Sequence, residues 1–374
     1  MKVFFNALIV HLIFNVYVFA RGWQVLPAKK GYRYPYALLF ILELIVYLIG
    51  FFFWNKLPDQ ILRPITLIGT TWMVLIGYFA AFLLIYDAIR FIKRKIRKDK
   101  SSKMETLKIK RFYFIISLAI VLISMCYGNY RFKNPIITKL NLVVKKQNSP
   151  LDSLKIVMAA DIHVGTLINR EMLKLYVDEI MAQKPDLILL VGDIIDYDLP
   201  PLIEQQMDEE FRRLKAPYGV YASTGNHEYR LNAEEKIAWL SEKAGLTVLR
   251  DSVVKVADSF YLVGREDDNA PVRKTLPTIL HDVDRSLPVI VMNHEPHYLQ
   301  EESDEKIDLA LYGHTHNGQL FPYNIVISWL YEVGHGYKKK DDTHIYVTSG
   351  LGLAGPEYRI GTISELVVIN LKFN

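Results

Sequence analysis

The sequence predicts a layered α/β domain of two packed sheets with helices outside, preceded by a region of four membrane-spanning helices. Four long apolar segments fill the first third of the 374-residue chain, which is 51% hydrophobic with a mean hydropathy of +0.12. Beyond them, strand-like and helix-like runs alternate before giving way to a strand-rich end. The two regions also differ in charge. Residues 1–134 hold 20 Lys/Arg against 5 Asp/Glu, a net +15, so the whole-chain +5 leaves −10 for residues 135–374.

The apolar segments cover about 3–20, 34–54, 64–86 and 112–128, each near the roughly 20 residues that cross about 30 Å of hydrocarbon. Segment 3–20 lacks a clear small-x-small cleavage site, and three more spans follow, so it reads as a retained helix. Loop 88–111 carries eleven basic and two acidic residues, and 21–33 carries four basic and none acidic. Both belong on the cytoplasmic side, which places the acidic domain outside, in the periplasm or extracellular space beyond an inner (cytoplasmic) membrane. Glu43 lies inside the second span, within reach of His11 and Asn15, either as bundle packing or as a transport site. The basic charge sits with the apolar segments and marks topology. The acidic part has no basic run interleaved with aromatics, so no nucleic-acid groove is expected. The single cysteine, Cys126, permits no intrachain disulfide.

Residues 135–150 read as a polar linker and 151–374 as one domain. LKIVMAA (154–160) and DLILLVG (186–192) are buried strands on either side of a helical run, MLKLYVDEIMAQ (172–183). A helix near 203–215 leads to the strand GVYAST (219–224), and helix 232–245 leads to short strands near 246–263. LPVIVMN (287–293), DLALY (308–312), HIYVTS (344–349) and SELVVINL (364–371) supply the remaining strands.

Five of these strands end in metal-ligand residue types: Asp161 and His163, Asp193 and Asp196, Asn226 and His227, His294, and His314 and His316. Strand ends in layered α/β folds collect at one rim, so the five loops aim these groups into one region. One mononuclear site needs only three or four ligands, and the surplus points to two metals about 3.5–4 Å apart that share a carboxylate. Taken singly, each motif reads equally well as turn chemistry, since Asp, Asn and Gly favour loops.

ADIH (160–163), GDIID (192–196), GNHE (225–228), NH (293–294) and GHTH (313–316), in this order, resemble the calcineurin-like metallophosphoesterases. GHTHNGQ and TSGLGLAGP (348–356) look most like the membrane-associated bacterial phosphodiesterases of that family. The resemblance covers about 154–371 and implies a four-layer α-β-β-α sandwich with metals at its rim. It implies Asp161, His163, Asp193 and His316 at one metal, and Asn226, His294 and His314 with bridging Asp193 at the other. His227, oriented by Asp196, would contact the phosphate. Asn317 and RIGTISEL (359–366) depart from the family pattern, which puts substrate recognition at those positions in question.

The expected activity is hydrolysis of a phosphate ester, with a hydroxide bridging the metals attacking phosphorus in line and His227 serving the leaving oxygen. His, Asp and Asn ligands suit Mn, Zn, Fe or Co. The apolar-aromatic stretch in 318–340, with Trp329, Tyr331 and Lys338–Lys340, reads either as a core hairpin or as an insertion touching the bilayer. In the second case the substrate is a phospholipid or lipid-linked phosphate. His335, between Gly334 and Gly336, reads either as a guard of the pocket or as a structural residue. Two other function classes are a membrane-anchored metal-binding sensor without turnover, which would not need His227 and Asp196, and a small transporter.

Overall fold

The computed structural model describes residues 2–54, 56–97, 107–146 and 149–374, so the middle of the basic loop, 98–106, lies outside the described residues. The chain divides into two compact units, 1–129 with 355–357, and 130–354 with 358–374.

The first unit is built on α1 (Lys2–Val25), α2 (Lys30–Phe53), α3 (Asp59–Arg97) and α4 (Leu107–Lys133), whose last residues enter the second unit. All four are long and apolar enough to cross a membrane. Pro27 follows α1 and Pro58 precedes α3, where a missing N–H costs nothing. Large apolar side chains such as Val16, Ile41, Ile115 and Ile123 face outward, as hydrocarbon solvent requires. The polar groups turn inward: His11 Nε2 stands 3.1 Å from Glu43 Oε1, and the Trp72 indole donates to Asn15 Oδ1 at 2.9 Å. Asn15 thus serves Trp72, while His11 meets Glu43.

The second unit contains two six-stranded sheets. In sequence order its strands are β1 (Ile136–Val144), β2 (Ser153–Ala159), β3 (Leu187–Val191), β4 (Val220–Ser223), β5 (Thr247–Val248) and β6 (Ser252–Val256). β7 (Phe260–Gly264), β8 (Val289–Met292), β9 (Leu309–Tyr312), β10 (Gly336–Lys340), β11 (Thr343–Val347) and β12 (Glu365–Phe373) complete the set. The helices are α5 (Arg170–Ala182), α6 (Pro200–Glu204), α7 (Met207–Phe211), α8 (Ala233–Ala238), α9 (Leu276–Ile279), α10 (Leu299–Asp304) and α11 (Tyr323–Leu330). One sheet runs β1-β12-β2-β3-β4-β5 and the other β10-β11-β9-β8-β7-β6.

Alternation along single strands produces the layers. Val157 and Ala159 of β2 pack outward with Leu173, Tyr176, Val177 and Ile180 of α5, while Ile156 and Met158 point between the sheets. There they meet Ile290 and Met292 of β8 and Leu309 and Leu311 of β9, whose alternate residues Val291 and Ala310 pack outward with Leu276 and Leu299. The order is therefore helix, sheet, sheet, helix. Helix α5 begins where the Asn169 side chain accepts from Met172 N, a cap that satisfies one of the helix's first free donors.

One expectation is corrected: residues 136–144, read as linker, form β1, which pairs in parallel with β12 from Ile136↔Glu365 to Val144↔Phe373. Of the two readings of 318–340, the core hairpin does not hold for its apolar part, which forms α11 with no buried residue; β10 follows and pairs antiparallel with β11.

Glu365 ties the sheets together. Its buried carboxylate accepts Thr138 Oγ1 (2.6 Å) from β1, Tyr346 OH (2.7 Å) from β11, and Thr348 Oγ1 (2.8 Å) and Ser349 N (3.1 Å) beyond it. Burial opposes its ionisation, but His335 and these donors bring its pKa down to about 2. The folded value lies below the unfolded one of about 4.3, so the stabilisation is full above that pH and fades as pH falls toward 2. Glu365→Gln is expected to cost about 2–4 kcal/mol at pH 7 in urea unfolding of the detergent-solubilised chain. The gap to wild type should narrow at pH 3, and an equal gap at both pH values would refute this account.

Candidate metal centre

Strands β2, β3 and β4 of one sheet are mutually parallel, as are β8 and β9 of the other, so in each set the carboxyl ends lie together. The chain leaves these ends by sharp turns. Asp161, His163, Asp193, His314 and His316 have φ of 53°, 53°, 50°, 69° and 49°. Non-glycine residues hold such left-handed conformations only where their surroundings impose them. At Asp193 it is Glu228 that does so: its buried carboxylate accepts the N–H groups of Asp193, Ile194, Ile195 and Gly225 at 2.8–3.0 Å. Gly313 keeps space open for Asp161, since a Cβ there would stand 2.6 Å from Asp161 Oδ2.

The side chains converge in two sets. In the first, His163 Nε2 lies 3.1 Å from His316 Nε2 and 3.6 Å from Asp193 Oδ2, and His316 Nε2 lies 3.4 Å from Asp161 Oδ1. Atoms bound about 2.1 Å from one cation at angles of about 90–120° stand roughly 3.0–3.6 Å apart, so these are spacings of ligands around a shared ion. In the second set, His294 Nε2 lies 3.3 Å from the same Asp193 Oδ2, and His314 Nδ1 lies 2.9 Å from Asn226 Oδ1. Asp193 Oδ2 therefore borders both. The clusters suit two divalent metal ions.

Hydrogen bonding and charge fit that occupancy. His294 Nδ1 donates to Val191 O at 2.9 Å, which leaves the lone pair on a buried Nε2 that has no hydrogen-bond partner. Burial pushes His314 down to about 3 and holds His316 well below the usual histidine range, so both are neutral donors of a lone pair. Burial resists ionisation of Asp193, yet His294, His163 and His227 hold it well below the usual carboxylate range. Burial likewise resists protonation of His294, but Asp193 and Asp161 raise it well above its ordinary value. The same carboxylates favour a divalent cation in that proton's place.

Beside these sets, His227 Nδ1 stands 2.8 Å from the Asp196 main-chain O and 2.9 Å from its Oδ1, and the His227 backbone N–H donates to Asp193 Oδ1 at 2.8 Å. Asp196 Oδ1 also lies 3.6 Å from His163 Nδ1. All nine residues singled out from the sequence thus lie in one region. His335 pairs instead with Glu365 (3.3 Å), and Asn317 donates its N–H to Thr315 Oγ1.

Other participants carry weak sequence signals. Arg359 is fully buried and donates to His316 O at 2.9 Å and to Gly350 O at 3.2 Å, which pins the GHTH loop to the closing segment. Burial pushes its pKa down to about 10, against the pull of Asp161. It falls in RIGTISEL, whose departure from the family pattern was the one hint. Buried Lys236 donates to His227 O at 2.5 Å. Glu295 lies 3.7 Å from His314 Nδ1, and the Tyr331 ring stacks on His297 at 5.2 Å, joining the end of α11 to the ligand loops.

Residues 154–318 match the family described as calcineurin-like phosphoesterase. A metallophosphoesterase of Campylobacter jejuni is 27% identical, the match covering 98% of this chain and 97% of that protein. One of Bacillus subtilis is 30% identical over 66% of this chain and 90% of its own length. A transmembrane protein with metallophosphoesterase domain from Danio rerio is 28% identical over 78% of this chain and 70% of that protein.

Proposed function

This chain belongs to the calcineurin-like phosphoesterases, and from that premise we propose that it hydrolyses a lipid or lipid-linked phosphate ester on the exoplasmic side of the membrane that its four apolar helices cross. The observation that carries the hydrolytic reading is Asp193 Oδ2, 3.6 Å from one histidine set and 3.3 Å from the other. Asp161, His163, Asp193 and His316 would hold one cation, and Asp193, Asn226, His294 and His314 the second. When bound, such a pair supplies Lewis-acid charge and lowers the pKa of the attacking water for in-line displacement at phosphorus.

The protein's own groups manage the proton. Burial resists ionisation of Asp196, but His163 and His227 keep it charged, well below the usual carboxylate range. Asp196 Oδ1, 2.9 Å from Nδ1, fixes the His227 ring so that its Nε2 lies on the side of the metal ligands, 3.9 Å from Asp193 Oδ2. A proton carried at that Nε2 can pass to a departing alkoxide. A sensor without turnover has no use for this pair, which favours the enzyme.

The lipid reading rests on α11. Trp329 and Leu330 are 79% and 70% exposed, Phe321 and Tyr323 are also exposed, and the helix follows the ligand loop directly. An apolar, aromatic helix left in water is unfavourable, whereas a bilayer accepts it at headgroup depth. Lys338 and Lys340 beside it are engaged with Glu332, so the contact is chiefly apolar.

His227→Ala is expected to lower kcat about 10²–10⁴-fold on an alkyl phosphodiester and far less on a p-nitrophenyl ester, whose leaving group needs no proton. Equal losses on both would remove the general-acid role. Trp329→Glu should depress turnover of a phosphate ester embedded in vesicles while sparing a soluble aryl ester, and unchanged vesicle turnover refutes bilayer presentation. Alkaline phosphatase fused after Asn374 should be active in a bacterial host. If only a cytoplasm-active reporter works there, the exoplasmic placement is wrong.

A further inference from the structure

An open cavity of about 170 Å³, lined by Asn226, Tyr229, Arg230 and Asn269, adjoins the metal centre, since Asn226 belongs to both. Three of the four lining side chains are neutral at pH 7, and their positions are set. Tyr229 donates its hydroxyl to Glu266, and Asn269 Nδ2 donates to Asp267 Oδ1 at 2.8 Å. Arg230 supplies the charge. Its guanidinium lies over the Tyr197 ring, 5.5 Å from the centroid, and interacts with the Tyr197 hydroxyl. Tyr197 directly follows Asp196, so the arginine is braced by the same loop that orients His227.

The neighbouring arginines are committed elsewhere. Arg250 is paired with Glu234 and Glu266, Arg273 with Asp268, and Arg359 is buried against main-chain carbonyls. Arg230 instead rests on an aromatic face, and no ion pair to a carboxylate involves it among the described residues. A guanidinium held this way keeps its planar fork of donors available to a phosphate, which it can bind through two parallel hydrogen bonds. The scissile phosphate belongs on the cations, so an anion at Arg230 is a different group of the same substrate.

We propose that this cavity receives the part of the substrate beyond the scissile phosphate, and that Arg230 binds a second phosphate there. The substrate class is then a diphosphate, or an ester with a further phosphate close by, rather than an ester of a neutral headgroup. This deepens the hydrolase reading and rests on it, because the cations must hold the first phosphate.

The test is calorimetric binding to the manganese-loaded, detergent-solubilised full chain, with two non-hydrolysable probes. Methylenediphosphonate carries two phosphorus groups at diphosphate spacing and methylphosphonate carries one. Wild type should bind the diphosphonate more tightly. Arg230→Gln should weaken it about tenfold, the size of one charge-assisted contact, while shifting methylphosphonate less than twofold; Arg230→Lys should recover part of the loss. Because Arg230 is exposed, these variants should fold, which circular dichroism checks. An equal effect on both probes, or no effect on either, overturns the proposal. If the arginine-dependent preference appears but the wild type hydrolyses no phosphate ester with manganese, the second-phosphate site stands and the hydrolase reading falls.

Discussion

Four backbone N–H groups converging on one buried carboxylate hold the metal centre in shape. Glu228 accepts from Asp193, Ile194, Ile195 and Gly225, and in doing so fixes Asp193 at a φ of 50° that its own chemistry disfavours. Burial raises the Glu228 pKa and Asp193 raises it further, while the hydrogen bonds from Ile195 and Gly225 favour the carboxylate. Glu228 thus places a third buried carboxyl group beside Asp193 and Asp161, where water cannot screen charge. Divalent cations are the natural counter-charge for such a cluster.

Much of this was legible because fully buried strands are continuous apolar runs, and because a ligand placed just after such a run has one place to go. LKIVMAA, DLILLVG and DLALY identified β2, β3 and β9 and, through them, Asp161, Asp193, His314 and His316. What escaped notice depends on partners remote in sequence. IITKLNLVV (136–144) mixes polar and apolar residues because β1 is an edge strand buried on one side, and its partner β12 lies more than 200 residues away. The same holds for Arg359: nothing in its neighbours announces that its guanidinium reaches His316 O. Glu228 was visible as part of GNHE, but its four donors come from two loops and only the fold unites them.

The stretch after GHTH was ambiguous for a different reason. Hydrophobicity identifies a segment that avoids water, not the medium that replaces it. In the second unit the core positions are filled by the strands and by other helices, among them α5, α7, α9 and α10, while α11 contributes no buried residue and its apolar surface remains outside. Tyr331, immediately after it, stacks on His297, and the His297 ring lies 6.4 Å from that of His314. A change in the environment of α11 is thereby linked by ring contacts to a candidate ligand of the second cation.

Net charge places a further constraint on substrate delivery. The segment from residue 135 onward carries −10, so its long-range field repels an anionic ester. Salt confines that repulsion to about 10 Å or less at physiological strength, and inside that range cations held at the centre, together with Arg230 in its proposed role, would dominate. Attraction is therefore local, and nothing in the domain's overall field would draw a dilute, soluble polyanion toward the centre. A substrate that shares the membrane has no such need, because its encounter is confined to the bilayer surface and its apolar part is retained there by the hydrophobic effect. On the proposed reading, the acidic surface and the positive centre are compatible: the first discourages soluble anions at a distance, and the second captures a phosphate already brought close by its lipid.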